Sequence, residues 1–183
     1  GYKAPHRKIT QLLNSGDIIR IKKGFYVLGK QYRQYPIHLG VIANLIYGPS
    51  YVSQEYALAY YQMIPEKAQI VTSMTTKRNK TFETPLGRFN YRYINQQRFT
   101  VGIDWQALDN HRHFLIASPE KALVDTVTAY RDLKTSDDMY THLIDNLRID
   151  ENDLQQLDIN RLEKMTTVYK HPVATLLAKT LRR

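Results

Sequence analysis

An α+β fold in two parts is predicted by three features of this 183-residue sequence. A short amphipathic helix leads into a β-prone hairpin at the N-terminus, helical and strand-like runs alternate after Tyr32, and the pattern is helical from Ser136 to the end. Hydrophobic residues make up 43% and charged residues 23%, the balance of a globular chain long enough to bury a core. The expected division is an N-terminal segment over 1–33 and a mixed α/β domain over 34–183 with a helical C-terminal tail.

The first segment is the most telling. Pro5 suits the first turn of a helix, Ile9, Leu12 and Leu13 recur at i, i+3 and i+4, and Asn14-Ser15-Gly16 supplies a stop. Arg7, Thr10, Gln11 and Asn14 fall on the side opposite the apolar stripe. Ile18-Ile19-Arg20-Ile21 and Phe25-Tyr26-Val27-Leu28 are β-prone runs joined by Lys22-Lys23-Gly24, where glycine can take the positive φ of a tight turn. Helix, short connection and hairpin with a basic tip form the second half of a winged helix-turn-helix. In that arrangement the helix lies in a DNA major groove and the hairpin touches the adjacent backbone.

Beyond Tyr32, Ile37, Val41, Ile42, Leu45 and Ile46 mark an amphipathic helix that ends at Gly48-Pro49. Tyr51-Val52 reads as a brief buried strand, and Ser53 as the cap of a helix reaching Gln62. Strands are expected over 68–74, 81–84, 88–94, 99–105 and 113–117, with Pro85-Leu86-Gly87 as a hairpin turn. Ser118 caps a helix with Pro119 at its first position and Glu120 in its first turn. The helical end divides into pieces broken near Asp150, Asn160 and His171-Pro172.

Charge is unevenly spread within a formal total of +9. Residues 1–33 hold eight Lys/Arg against Asp17 alone, 131–163 are acidic, and 164–183 hold five basic residues and no acidic one. An excess concentrated in one short segment points to an anionic partner such as nucleic acid. The acidic 132–163 and basic 164–183 stretches suit contact within the chain or self-association on DNA, with two solvated faces as the alternative. The absence of cysteine removes disulfides, thiolate metal sites and thiol nucleophiles, and fits a reducing cytoplasm. The longest stretch without Lys, Arg, Asp or Glu, from Gln34 to Gln54, is broken by His38, Gly40, Asn44, Gly48 and Pro49, so no membrane span is expected. No signal peptide is recognisable, and the chain opens without Met, as a piece of a longer protein would.

Within the DNA-facing reading, Arg7 and Gln11 are the base-edge candidates, since Arg pairs bidentately with guanine and Gln with adenine. Lys3, Lys8, Lys22 and Lys23 fit phosphate contacts, and Thr10, Asn14 and Arg20 complete the set. The bland alternative is a solvated amphipathic helix. Lys77, Arg78 and Lys80 form a second basic cluster at an expected loop tip, either simply solvated or a secondary nucleic-acid or partner contact. Ser118-Pro119-Glu120-Lys121 is explained by helix capping, and Asp125 is expected to be buried and paired with a basic residue. His111 and His113 could share a strand face, but without a nearby carboxylate set they make a poor metal site. A nuclease would need clustered carboxylates and a lysine, and adjacent Glu120 and Lys121 point apart on a helix. The eight glycines are scattered and form no phosphate-cradling loop. No catalytic residue, metal or cofactor is therefore expected. A nucleic-acid-processing enzyme and a protein-interaction module without DNA binding remain the rival classes.

Several motifs carry a resemblance. Tyr51-Val52-Ser53-Gln54-Glu55-Tyr56-Ala57-Leu58, the 60–66 and 72–78 runs, the 84–91 hairpin and, most strongly, Ile116-Ala117-Ser118-Pro119-Glu120-Lys121-Ala122-Leu123-Val124-Asp125 resemble the AbiEi family of antitoxins from bacterial abortive-infection toxin-antitoxin systems, which serve phage defence. Residues 16–27 are similar to the wing of such proteins, so the likeness spans roughly 1–130. The resemblance implies a winged-helix transcriptional repressor that binds double-stranded operator DNA of its own operon. A C-terminal region would antagonise a nucleotidyltransferase-like toxin, with or without direct binding. Such proteins carry one or two helices ahead of the recognition helix, whereas here the chain starts almost on it.

Overall fold

A computed structural model describes residues 5–182 of the chain. Pro5–Asn14 forms α1, and Ile18–Lys22 (β1) pairs antiparallel with Phe25–Leu28 (β2). Ile9, Leu12 and Leu13 are half-buried where α1 packs on β1, so the predicted apolar stripe is the packed one. Gly29 closes this unit. Its N–H donates to the Asp17 carbonyl at 2.7 Å, and a Cβ there would lie 2.0 Å from the Gly16 carbonyl oxygen. Ile21 is buried and belongs to the same hydrophobic core as the rest of the molecule.

After a 3-10 turn at Lys30–Tyr32, the chain builds α2 (Leu39–Ile46), β3 (Ser50–Val52), α3 (Gln54–Tyr60), β4 (Ile70–Thr75), β5 (Lys80–Thr84) and β6 (Gly87–Tyr93). Then follow α4 (Gln96–Phe99), β7 (Ile103–Ala107), β8 (His113–Ala117) and α5 (Pro119–Val127). The helical end comprises α6 (Ser136–Thr141), a π-helical turn at His142–Asn146, α7 (Glu151–Gln155), α8 (Ile159–Tyr169) and α9 (Pro172–Leu181).

The fold is α+β around a mixed six-stranded sheet of order β5-β6-β4-β3-β8-β7. Antiparallel hairpins β5–β6 and β7–β8 flank the central pair, in which β3 runs antiparallel to β4 and parallel to β8. Strand β4 runs parallel to β6. All of β3 and most of β4 are buried, as strands covered on both faces must be. Register assigns the faces. Tyr51 lies opposite Met74 and Met74 opposite Arg92, and Tyr51 reaches α5, so these residues share the α5 side. Tyr91 points the other way and donates to the Ala43 carbonyl of α2 at 2.6 Å. Helix α3 packs on α5, which α8 and α9 cover in turn.

Three expectations about the elements need correction. Residues 99–105 are not one strand: Asn95 caps α4 by accepting from the Arg98 N–H at 2.9 Å, and the chain turns before β7. Gly102 makes that turn at φ 69°, against Lys121 and Met165, where a Cβ would meet the Met165 methyl at 2.5 Å. Ser53 stands at the head of α3 but makes no capping bond, and the helix ends at Tyr60 rather than Gln62. The break expected near Asn160 falls at Asp158, whose carboxylate caps α8 by accepting from the Arg161 N–H at 3.1 Å. Among the described residues, no helix is long and apolar enough to cross a membrane.

Candidate nucleic-acid interface

Helix α1 exposes Arg7, Lys8, Thr10, Gln11 and Asn14, while its apolar stripe faces β1. Thr10 spends its hydroxyl locally, donating to the His6 carbonyl at 3.0 Å. Arg20 is exposed on β1, and Lys23 and Gly24 are exposed at the hairpin turn, where Gly24 has φ 79°. Lys3 lies outside the described residues. The one acidic side chain of the segment, Asp17, is tied into the turn after α1: it accepts from Ser15 at 2.6 Å and from Gln31 at 3.1 Å. The Ser15 hydrogen bond is the main reason its carboxyl is held below the usual range.

Lys22 behaves differently from its neighbour. Half-buried, its ammonium donates to the Ile46 carbonyl at the end of α2 at 2.5 Å and lies 5.6 Å from the Phe82 ring centroid. The second basic cluster meets it there. Lys80 stands 5.1 Å from the Phe82 centroid and 5.7 Å from that of Tyr47, and Lys77 stands 5.3 Å from Tyr47 while donating to the Gly48 carbonyl at 2.5 Å. Lys22 and Lys80 thus share the Phe82 ring, Lys77 and Lys80 the Tyr47 ring, and two carbonyls anchor Lys22 and Lys77. The hairpin and the 77–80 segment, far apart in sequence, form one basic surface with Arg78 exposed beside them. Among the described residues, none of Arg7, Lys8, Arg20, Lys22, Lys23, Lys77, Arg78 and Lys80 forms an ion pair.

A buried polar node in the body was not legible as such. The Asp125 carboxylate accepts from Tyr51 Oη at 2.9 Å, from Ser53 Oγ at 2.7 Å and from Tyr169 Oη, and Lys121 Nζ lies 3.4 Å away. Lys121 also donates to Tyr169 Oη and, at 2.7 Å, to the Arg98 carbonyl. Burial pushes the Lys121 ammonium toward its neutral form, and the Asp125 charge opposes that shift. Burial likewise drives the Tyr51 and Tyr169 hydroxyls far up, reinforced by Asp125. The basic partner expected for Asp125 is therefore Lys121, one helical turn earlier. The node is buried and explains why Ser53 caps nothing: its hydroxyl is committed to Asp125.

The chain matches no known protein-family model, and no curated protein sequence matches it. Its motifs are thus read through their geometry. The 51–54 and 118–125 runs converge on the Asp125 node, so their residue types serve the packing of α3, α5 and the sheet. Ser118 caps α5 as expected, accepting from the Lys121 N–H at 3.2 Å. Glu120, buried, accepts from Ser118 Oγ at 2.8 Å and from the Asp158 N–H at 3.1 Å, pointing away from Lys121. His113 lies on β8 edge-on to Trp105, whereas His111 lies in the preceding turn. Among the described residues, no three His, Asp or Glu side chains come together as metal ligands would.

Proposed function

We propose that this protein is a DNA-binding antitoxin of the AbiEi type, in which α1 and the β1–β2 hairpin act as recognition helix and wing of a winged helix. The observation that carries the reading is the exposed Arg7, Lys8, Thr10, Gln11 and Asn14 face of α1, followed by a hairpin whose basic tip adjoins Lys77, Arg78 and Lys80. Arg7 and Gln11 read base edges, while Lys8, Lys23 and the lysines around Phe82 meet phosphates and set register. The protein represses its own operon through this surface, and the body antagonises a nucleotidyltransferase-like toxin without itself catalysing a reaction.

The test is fluorescence anisotropy with the duplex upstream of the protein's own operon against a scrambled duplex, at about 50 and about 200 mM salt. Preference for the native duplex with a steep loss at higher salt is expected. Equal, weak binding to both duplexes overturns the repressor reading. Growth rescue of cells expressing the neighbouring toxin gene, with and without this protein, tests the antitoxin part separately.

A further inference from the structure

A cleft of about 670 Å³ opens on the α5 side of the sheet, within the size range of small-molecule sites. Arg92 from β6, Arg98 from α4 and Arg131 after α5 line it, with Asn79, Asn95, Gln54 and His171. None of the three guanidinium groups forms an ion pair among the described residues. The sole acidic lining residue, Asp125, is already engaged by Lys121 and three hydroxyls, so the wall is cationic. Burial and then the Arg98 charge push the His171 imidazole down, disfavouring its charged form.

Polar groups at this wall are left without partners. Gln54 is 2% exposed, and its Nε2 donates to the Asp125 carbonyl at 3.0 Å, yet its Oε1 accepts no hydrogen bond among the described residues. Arg98 Nε and His171 Nδ1 are buried and equally unpartnered. Buried polar atoms are seldom orphaned, and three such residues meet at one cleft. Gln54 moreover holds φ 55°, a left-handed conformation uncommon outside glycine that Gln62, Arg148 and Lys170 share. Arg98 is held by a bond from its guanidinium to the Tyr169 carbonyl and by the Tyr169 ring, 5.2 Å from its carbon, so it cannot simply swing into solvent.

We propose that this cleft is a binding site for an organic phosphate, a phosphate ester the size of a nucleotide. Planar guanidinium forks match phosphate oxygens bidentately, and three of them without carboxylate partners recognise a dianion or a polyanion. The cleft is much larger than one phosphate group, and the Asn79, Asn95 and Gln54 amides supply hydrogen bonds for the organic part.

The experiment is isothermal titration calorimetry of the whole protein with inorganic phosphate, ribose 5-phosphate, AMP, GMP, ATP, GTP and the unphosphorylated nucleosides. It is repeated on the Arg92→Gln/Arg131→Gln double variant, which changes exposed side chains, and on a charge-matched Lys67→Gln/Lys164→Gln control. At least one phosphate ester is expected to bind the wild type and the control alike, to weaken about tenfold or more in the double variant, and to lose binding with its phosphate. No heat with any phosphate at about 1 mM overturns the proposal, as does binding that survives in the double variant. Inorganic phosphate binding as tightly as every ester removes the organic ligand. If the double variant instead loses affinity only for operator duplex, the arginines belong to the DNA surface and the cleft proposal fails, while a failed cleft leaves the repressor test untouched.

Discussion

Asp125 illustrates how much one side chain can organise. Its carboxylate takes three hydroxyl donors and the Lys121 ammonium, all buried. Asp125→Ala strands the Lys121 charge and is expected to cost about 3–5 kcal/mol in urea unfolding. In a double-mutant cycle with Lys121→Met, the combined loss should fall well short of the sum, and additivity would mean the pair is not coupled. Histidines set a second expectation. Burial is the leading cause that pushes His38, His142 and His171 below the ordinary value of 6.5. Below pH 6.5 the unfolded chain therefore binds protons that the folded chain refuses, and stability falls until the lowered values are passed. The melting temperature should drop between about pH 7 and about pH 5, and less so in a His142→Gln variant. Neither the node nor this titration could be read from the chain, because the participants lie in segments separated by dozens of residues. What was legible at Asp125 was its burial and its need of a cation.

Elements whose determinants are local were legible. Helix α1 has its stripe and stop within ten residues, the β5–β6 turn its Pro85-Leu86-Gly87, and α5 its Ser118 cap with Pro119 behind it. The 99–105 stretch misled because its apolar residues invite a strand, while its turn answers to Lys121 and Met165 packed against Gly102. The basic hairpin was legible too, though not the unlike duties of its two lysines. Lys23 is exposed at the turn, whereas Lys22 is engaged by the end of α2 and by Phe82. On the repressor reading, Lys23→Ala should lower the salt slope of operator binding by about one and leave the melting temperature unchanged. Lys22→Ala should lower the melting temperature as well. Equal behaviour of the two variants in both measurements would contradict the tether.

At the scale of the whole molecule, the tyrosines divide: Tyr51, Tyr91 and Tyr169 are core, Tyr47, Tyr56, Tyr60 and Tyr61 pack against it, and Tyr32, Tyr35, Tyr93, Tyr130 and Tyr140 are exposed. Burial is the first cause raising the hydroxyls of Tyr51, Tyr56, Tyr60, Tyr61, Tyr91 and Tyr169 above 10.0. The folded chain keeps these protons after the unfolded chain has lost them, so stability declines as pH rises past about 10. Spectrophotometric titration should show an early reversible group of tyrosines and a later group that ionises only with the loss of circular dichroism. A single early step for all of them would contradict their burial. Among the described residues, the opposed charges of the C-terminal region pair at Glu163 and Arg182, 2.7 Å apart, an exposed contact worth little by itself. Tyr169 matters far more. It sits at the end of α8, yet its hydroxyl is shared between Asp125 and Lys121 of α5, and its carbonyl takes the Arg98 guanidinium. The helical end therefore cannot peel away without baring a carboxylate and an ammonium inside the molecule, which ties its melting to that of the sheet: sheet and tail should unfold in a single cooperative step, and a chain cut ahead of residue 169 would lose both together.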